Sequence, residues 1–148
     1  MKARDIMTTE HLWGCSETDT ARQVAELMSD HGIGALPILD AEGRLEGIVT
    51  DRDICCRVVA QNLPDETPVG EIMSTSVQTV FPDAGLSEVE SIMRDFRIRR
   101  LPVVDEQNKL LGFISLGDLA RHVRGLFKEH GVYEVLEAVS SPGGPSST

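Results

Sequence analysis

The chain carries an internal repeat that covers most of its length. Shifted by 65 residues, segment 21–54 aligns without gaps onto 86–119, and 10 of the 34 aligned positions are identical. Chance at ordinary composition would give roughly two identities. The upstream triplets Asp5–Met7 and Glu71–Met73 also match, at a shift of 66. Because solenoid repeats have shorter periods, the sequence predicts one duplicated supersecondary unit rather than a repeat array.

Both copies show the same order of predicted elements. Apolar residues at helical spacing predict a helix, and two short β-rich runs joined by a polar turn predict an antiparallel hairpin after it. The predicted helix, hairpin strands and start of the closing helix are 21–31, 35–40, 45–50 and Asp51 in the first copy, and 86–96, 100–105, 110–115 and Leu116 in the second. An earlier strand is predicted around 12–15 and around 77–81. The predicted fold is therefore α/β, of the α+β type, with the order β-α-β-β-α occurring twice.

The size of the repeat predicts how the copies are organised. About 55 residues is marginal for an independently folded unit, so we expect the copies to pack as one body with pseudo-two-fold symmetry. The predicted segments are repeat 1 at 1–62, a linker at 63–68, repeat 2 at 69–125, a C-terminal helix at 126–139 and a disordered tail at 140–148.

The charge of the chain disfavours several classes of partner. It has 14 Lys and Arg residues and 24 Asp and Glu residues, which give a formal net charge of −10. Such a field repels nucleic-acid backbones and anionic lipid surfaces. No apolar run approaches the roughly 20 residues that a bilayer span needs, and the N-terminus does not resemble a secretory signal. We therefore expect a cytoplasmic protein that binds neither nucleic acid nor membrane.

Cysteine and histidine spacing gives little support for a catalytic or metal site. The three cysteines, Cys15, Cys55 and Cys56, show no CxxC pattern, which argues against a disulfide framework or a structural zinc site. We expect Cys55 and Cys56 to behave as small apolar residues, and His31 to be packed on the apolar stripe of its helix. No serine elbow, P-loop or metal-ligand cluster is present, so the chain is predicted not to be an enzyme.

Two matched motifs are the candidate ligand-binding residues. Each is G-x-x-[T/S]-x-x-D where a strand meets a helix, and the motifs place Thr50 with Asp53 and Ser115 with Asp118. A hydroxyl and a carboxylate beside unpaired backbone N–H groups suit the vicinal hydroxyls of a ribose and a neighbouring phosphate. The same spacing is also that of a capping box, which needs no ligand. Both interpretations remain open at this point.

An arginine cluster adds a candidate phosphate contact. Arg94, Arg97, Arg99 and Arg100 lie within seven residues, just before the second repeat's first hairpin strand. Guanidinium groups match phosphate oxygens, although a solvated face paired to neighbouring acids would explain them equally well. The first repeat has Gly34 and Ala35 where the second has Arg99 and Arg100. Any anion site should therefore be asymmetric.

These landmarks together resemble a known family. The [A/R]-L-P-[I/V]-[L/V]-D strand, the L-x-G-[I/F]-[V/I]-[T/S] strand and the closing x-x-D-[I/L] each occur twice in order. The chain is similar to a tandem pair of CBS domains, called a Bateman module, from about Ala3 to Val123. It also resembles small free-standing bacterial proteins made of two such repeats.

The resemblance implies a fold, ligands and partners. Members of this family bind adenosyl ligands such as AMP, ADP, ATP or S-adenosylmethionine in clefts between the repeats, and no cofactor is required. Their x-x-D aspartate contacts the ribose and corresponds here to Asp53 and Asp118. The hydroxyl residue before it corresponds to Thr50 and Ser115. The phosphate-contacting basic residues correspond to Arg99 and Arg100. The family's modules pair into homodimers, so a homodimer is expected here.

The leading functional hypothesis is a ligand-sensing regulatory module that acts on an unknown effector protein. The first alternative is a ligand-free module for dimerisation or protein interaction. The second is a metal- or redox-responsive dimer that uses Cys15 and histidines.

Overall fold

A computed structural model describes residues 1–122, which form two compact units. Of the described residues, the central unit contains 13–77, and the terminal unit contains 1–12 together with 78–122. In chain order the elements are α1 (Ala3–Ile6), α2 (Ala21–His31), β1 (Ala35–Leu39), β2 (Leu45–Thr50), α3 (Asp51–Asp53, continuing as a π-helix over Ile54–Val59), a 3₁₀ turn (Val69–Glu71), α4 (Leu86–Asp95), β3 (Arg100–Val104), β4 (Leu110–Ser115) and α5 (Leu116–His122). The predicted C-terminal helix and tail lie outside the described residues.

The two repeated helices end in the same way with different residues. Helix α2 starts with a capping box, in which Thr20 Oγ accepts from Gln23 N–H and Gln23 Oε1 accepts from Thr20 N–H. It ends at Gly32, which has a left-handed φ of 63°. After α4 the matching position is Arg97, which adopts the same conformation with a φ of 53°. The turn geometry is therefore repeated even where glycine is not.

The hairpins repeat in register as well as in sequence. Strands β1 and β2 pair antiparallel from Ala35 opposite Thr50, and β3 and β4 pair from Arg100 opposite Ser115. Both hairpins have one register irregularity, at Ile38/Leu39 and at the matching Val103/Val104. The antiparallel hairpins and the mixed helix-and-strand fold are confirmed.

The earlier strand predicted in each repeat is only a single parallel bridge. Cys15 N–H donates to Pro37 O, and Cys15 O accepts from Leu39 N–H. Val80 makes the matching bridge to Val103. Proline has no backbone N–H, so Pro37 and its counterpart Pro102 cannot donate the bond that would extend the ladder by another pair. The predicted strands around 12–15 and 77–81 are therefore corrected to isolated bridges.

Each compact unit combines the hairpin of one sequence repeat with the N-terminal segment of the other repeat. Ile72 is buried in the central core beneath β1 and β2, and the matching Ile6 is buried in the terminal core. The boundaries of the compact units therefore differ from those of the sequence repeats. The triplet 5–7 packs with the hairpin of repeat 2, and the triplet 71–73 packs with the hairpin of repeat 1. The central core consists of Cys15, Ala21, Val24, Met28, Leu36, Ile38, Val49, Val58, Val69 and Ile72. The terminal core consists of Ala3, Ile6, Val80, Ala84, Val89, Met93, Leu101, Val103, Ile114 and Leu119.

None of the helices within residues 1–122 has the length and apolar character required to cross a bilayer.

Candidate functional site

The first candidate site is the central junction, where β2 passes into α3. Asp53 Oδ2 accepts from Thr50 N–H at 2.9 Å, and Thr50 Oγ accepts from Asp53 N–H at 3.1 Å. Both side chains belong to buried residues. These reciprocal bonds satisfy two backbone donors at the helix start, which is the capping box that the spacing predicts.

The second candidate site is the terminal junction, where β4 passes into α5. Asp118 Oδ2 accepts from Ser115 N–H at 2.8 Å, and Ser115 Oγ accepts from Asp118 N–H at 3.1 Å. The capping geometry is therefore present at both junctions. A capping carboxylate still has further lone pairs, so this role leaves room for a second partner.

The motif glycines are explained by a close approach of the protein's own backbone. An ideal Cβ on Gly47 would lie 2.8 Å from Ser74 O and 2.8 Å from Met73 Sδ. On Gly112 it would lie 2.7 Å from Thr8 O. Met73–Ser74 and Met7–Thr8 run alongside the hairpins at these points, where Ser74 forms an antiparallel bridge to Ile48 and Thr8 forms one to Phe113. The glycines leave space for these neighbouring segments, so no ligand is needed to explain them.

The central carboxylate has one weak partner beyond its cap. Arg57 Nε lies 3.6 Å from Asp53 Oδ1, while Arg57 Nη1 donates to Ile72 O at 3.0 Å. Arg57 is therefore anchored mainly on a backbone carbonyl. Ser74, the counterpart of Thr8, makes no hydrogen bond to Asp53 within residues 1–122. Asp53 Oδ1 can thus accept a further hydrogen bond from a hydroxyl group.

The terminal carboxylate is more fully engaged. Arg121 Nη2 donates to Asp118 Oδ1, and the Asp118 side chain is only 5% exposed. Thr8 Oγ lies 3.3 Å from Oδ1 and 3.4 Å from Oδ2 of the same carboxylate. Asp118 therefore has partners on both oxygens.

The structure brings the predicted phosphate contacts to the terminal junction. Arg100 lies opposite Ser115 in the β3–β4 register, and Arg99 O accepts from Leu116 N–H at 3.1 Å. Arg99 is exposed and Arg100 is half-buried. Within residues 1–122 neither guanidinium pairs with a carboxylate. Four of the six predicted residues, namely Arg99, Arg100, Ser115 and Asp118, thus share one junction.

The central junction has Gly34 and Ala35 where the terminal junction has Arg99 and Arg100. Asp51 N–H donates to Gly34 O at 2.9 Å, and an ideal Cβ on Gly34 would lie 3.0 Å from Asp51 Oδ2. The Asp51 carboxylate therefore lies beside the backbone position that matches Arg99. Asp51 and Asp53 on this turn are accompanied by Arg52 and by Arg57, whose Nε lies 3.6 Å from Asp53 Oδ1. The two junctions therefore differ in the pair Arg99 and Arg100, which only the terminal one has.

Three further residues contribute to the junctions and were not predicted from the sequence, namely Thr8, Arg57 and Arg121. Thr8 was not assigned a role, although the match of Asp5–Met7 to 71–73 marked its segment as part of the repeat. Arg121 and Arg57 occupy positions that do not match each other at the 65-residue shift. Their roles depend on helix geometry, three and four residues after the aspartate, and that spacing was the available signal.

Other candidate residues are placed differently from prediction. Cys55 and Cys56 are exposed on the π-helical stretch instead of packed, whereas Cys15 is buried. Burial, and next the nearby Asp19 charge, raise the pKa of the Cys15 thiol to about 12, so this group is a poor redox thiolate. His31 is exposed and stacks on Trp13 with ring centroids 3.8 Å apart, so its prediction as a packed residue is wrong.

An acidic depression also lies on the central unit. It has a volume of about 320 Å³ and is lined by Ser16, Glu17, Thr18, Leu39, Asp40, Ala41 and Glu46. Burial, and then the charge of Glu17, raise the pKa of Glu46. In the part of the chain that the structure describes, no group of three His, Cys, Asp or Glu residues is arranged to hold a metal ion.

Comparison with protein families identifies the repeated unit. The model of the CBS domain matches twice, at residues 3–59 and 69–125. The chain belongs to the CBS-domain family. Both matches contain a hairpin and a strand–helix junction, so the sequence resemblance to this family is confirmed.

Two relatives show how much of the chain is shared. CBS domain-containing protein YhcV of Bacillus subtilis is 43% identical over 117 residues, which is 79% of this chain and 81% of the relative. Hypoxic response protein 1 of Mycobacterium tuberculosis is 36% identical over 141 residues, 95% of this chain and 94% of the relative. The similarity thus covers about four fifths of one relative and nearly the whole of the other.

Solved structures share the fold. A crystal structure of Hypoxic Response Protein I, with two coordinated zinc ions, has a TM-score of 0.74 at 36% identity and covers 82% of this chain and 98% of that one. The CBS domain pair of protein MJ0100, in complex with 5′-methylthioadenosine and S-adenosyl-L-methionine, scores 0.72 at 29% identity, covering 82% and 94%. CBSX2 in complex with AMP scores 0.74 at 25% identity, covering 82% and 95%.

Proposed function

We propose that this protein is a regulatory module that binds an adenosyl ligand at its strand–helix junctions. The ligand-binding residues are Thr50, Asp53, Arg99, Arg100, Ser115 and Asp118. The observation that carries the proposal is the pair of repeated junctions, each with a buried carboxylate, in a family whose solved members include complexes with AMP and with S-adenosyl-L-methionine.

The chemistry of the junctions supports a nucleotide in particular. A carboxylate oxygen can accept hydrogen bonds from vicinal sugar hydroxyls, and among residues 1–122 the contact of Asp53 Oδ1 is an ion pair at 3.6 Å. Arg99 and Arg100 supply cationic donors that no carboxylate within residues 1–122 neutralises. In a chain with net charge −10, two guanidinium groups at the start of a helix suit a phosphate.

The regulatory mechanism is linkage. A ligand that binds one arrangement of the module more tightly than another shifts the population towards that arrangement. The output then passes to a separate effector protein, and the module acts as a homodimer in the cytoplasm. No chemical conversion of the ligand is part of the proposal.

Thermal unfolding with a ligand panel tests the proposal. AMP, ADP, ATP and S-adenosylmethionine are each added at increasing concentration, and a ligand at 100 times its dissociation constant should add about 2.7 kcal/mol to stability. For a chain of this size that corresponds to a rise in Tm of roughly 5–10 °C. Asp53→Asn and Asp118→Asn should each reduce the rise, and the double variant should abolish it. Asp51→Asn is the matched control on the same turn as Asp53. No rise with any of the four ligands would refute the proposal.

A second function is favoured by one surface observation. Val59 is 67% exposed and Leu63 is 42% exposed, near the exposed Cys55 and Cys56. Such an apolar surface suits protein interaction. If every ligand leaves Tm unchanged while sedimentation shows a dimer that Val59→Glu disrupts, the interaction module is the correct function.

A further inference from the structure

The second strand of each hairpin contains one extra residue, and its chemistry differs between the repeats. In β2 this residue is Glu46, which lies between the pairs that Leu45 and Gly47 make with β1 and has no opposite residue in that pairing. In β4 the matching extra residue is Leu111. A β-bulge turns its extra side chain away from the regular alternation of the strand. The fold thus accommodates a leucine at this position, yet the central unit has a carboxyl group there.

A second carboxyl group lies beside that of Glu46. Glu17 and Glu46 both line the acidic depression, and Glu46 Oε2 is buried without a hydrogen-bond partner among residues 1–122. Two ionised carboxylates only accept hydrogen bonds, so neither can satisfy the other, whereas a single proton would give the pair a donor. Burial, and next the charge of Glu17, raise the pKa of Glu46, which favours that protonated form.

The backbone holds Glu17 in place. Gly70 N–H donates to Glu17 O at 2.9 Å, and an ideal Cβ on Gly70 would lie 2.9 Å from Glu17 Cβ. In the terminal unit Arg4 N–H donates in the same way to Pro82 O at 3.1 Å, so Pro82 is the structural counterpart of Glu17. Where the terminal unit has Pro82 and Leu111, the central unit therefore has two acids. The contact with Gly70 limits how far the first of them can move away.

We propose that Glu17 and Glu46 form a pH-sensitive switch within the central unit, in which one proton shared between the two carboxyl groups joins the segment before α2 to β2. When both groups are ionised, their repulsion weakens this contact. Two backbone bonds attach the same segment to the hairpin, Cys15 N–H to Pro37 O at 3.0 Å and Leu39 N–H to Cys15 O at 2.8 Å. Loss of the shared proton should loosen these bonds. The switch does not depend on the ligand proposed above.

The other charged groups that act on Glu46 do not replace the proton. After burial and Glu17, the charge of Asp40, just beyond β1, also raises the pKa of Glu46. Arg44, in the hairpin turn, lowers it. The Arg44 guanidinium is already bound by Asp40 at 2.7 Å and by Glu42 at 3.3 Å. Its charge is therefore shared among three acids, and the carboxyl pair keeps an unfavourable interaction when ionised.

The direction of the pH effect follows from the raised pKa of Glu46. Because Glu46 is protonated more easily in the fold than in the unfolded chain, the stabilising contribution of its proton is complete below the ordinary value of 4.5. That contribution disappears as pH rises through the raised pKa. The unmodified protein should therefore lose stability towards neutral pH, relative to a variant with an uncharged side chain at this position.

Carbon-13 NMR of the Glu46 carboxyl group tests the switch in the unmodified protein. Its titration midpoint should lie above 4.5. Glu17→Gln should lower the midpoint, because glutamine is uncharged and its amide can donate to the Glu46 carboxylate. Glu71→Gln, at an exposed residue of the same unit, removes the same charge and should leave the midpoint unchanged. A midpoint at or below 4.5, or no change in Glu17→Gln, would overturn the inference.

Urea titration across pH and hydrogen exchange measure the effect on structure. Glu46→Gln supplies a donor in place of the shared proton, so its urea midpoint should exceed that of the unmodified protein at neutral pH and equal it below pH 4.5. Adding Glu17→Gln should bring little further gain, because one contact is involved. Glu46→Leu, which copies Leu111, should also remove the decline towards neutral pH. In both Glu46 variants the Leu39 amide should exchange more slowly than in the unmodified protein at neutral pH.

Two outcomes of these stability measurements would contradict the switch. One is a gain in Glu46→Gln that is the same at every pH or that Glu71→Gln reproduces, which would show a general effect of net charge. The other is equal exchange of the Leu39 amide in all variants at neutral pH. If a Glu46 variant fails to fold, the NMR midpoint of the unmodified protein still decides. None of these measurements includes a nucleotide, so the ligand panel tests the proposed function separately.

Discussion

Replacing Gly47 with alanine should destabilise the central unit by a steric clash that the structure locates. The new Cβ would lie 2.8 Å from both Ser74 O and Met73 Sδ, closer than real Cβ contacts occur. Ser74 must move, and with it the bonds Ile48 N–H to Ser74 O at 3.0 Å and Ser74 N–H to Ile48 O at 2.9 Å. Overpacking of this kind costs about 1–3 kcal/mol. In a chain of 148 residues, this predicts a fall in Tm of roughly 3–10 °C.

Urea titration and calorimetry measure the global effect, and hydrogen exchange at the Ile48 and Ser74 amides measures the local one. Gly117→Ala is the matched control, because its Cβ would meet nothing nearer than Ser115 Oγ at 3.5 Å. That change in α5 should be neutral or slightly stabilising, since alanine favours helix. Equal Tm values for the two variants, with unchanged hydrogen exchange at Ile48 and Ser74, would refute the explanation that Gly47 leaves space for the Met73–Ser74 segment.

The remaining predictions concern the helix cap and the thiols. Thr50→Ala should cost about 0.5–2 kcal/mol by urea titration, and Thr50→Ser should retain most of that stability; equal losses would contradict the cap. Iodoacetamide at neutral pH should alkylate Cys55 and Cys56 but reach Cys15 only after unfolding, which mass spectrometry detects; rapid modification of all three would contradict the burial. Because folding raises the pKa of the Cys15 thiol from 9.0 to about 12, its neutral form is favoured in the fold. Its contribution to stability should be intact below pH 9 and disappear as pH rises towards 12, a loss that Cys15→Ala removes.

The elements that are both local and repeated were predictable from sequence. The spacing of Val24 and Met28 on one helix face predicted α2. The short β-rich runs beside polar turns predicted β2 and β4 with their observed limits. The segments 5–7 and 71–73 were recognisable as repeats, but the hairpin that each packs against was not predictable. A repeat identifies equivalent positions, whereas tertiary packing decides which copy a segment contacts.

The candidate site was predictable only in part. The spacing of Thr50 and Asp53 predicted both the cap and the ligand contact, because the same geometry serves either role. The difference between Asp53 and Asp118 was not visible in their motifs. It arises from Thr8, 110 positions away in the chain, and from Arg121, whose contact depends on helix geometry.

The most direct measurement is the affinity of adenosine and of 2′,3′-dideoxyadenosine for the unmodified protein and for Asp53→Asn. We expect the unmodified protein to bind adenosine at least about tenfold more tightly than the dideoxy analogue. The analogue lacks both hydroxyls from which Asp53 accepts hydrogen bonds. In Asp53→Asn the two affinities should converge. Equal binding of both compounds by the unmodified protein would show that no carboxylate holds the sugar, and would contradict the assignment of Asp53.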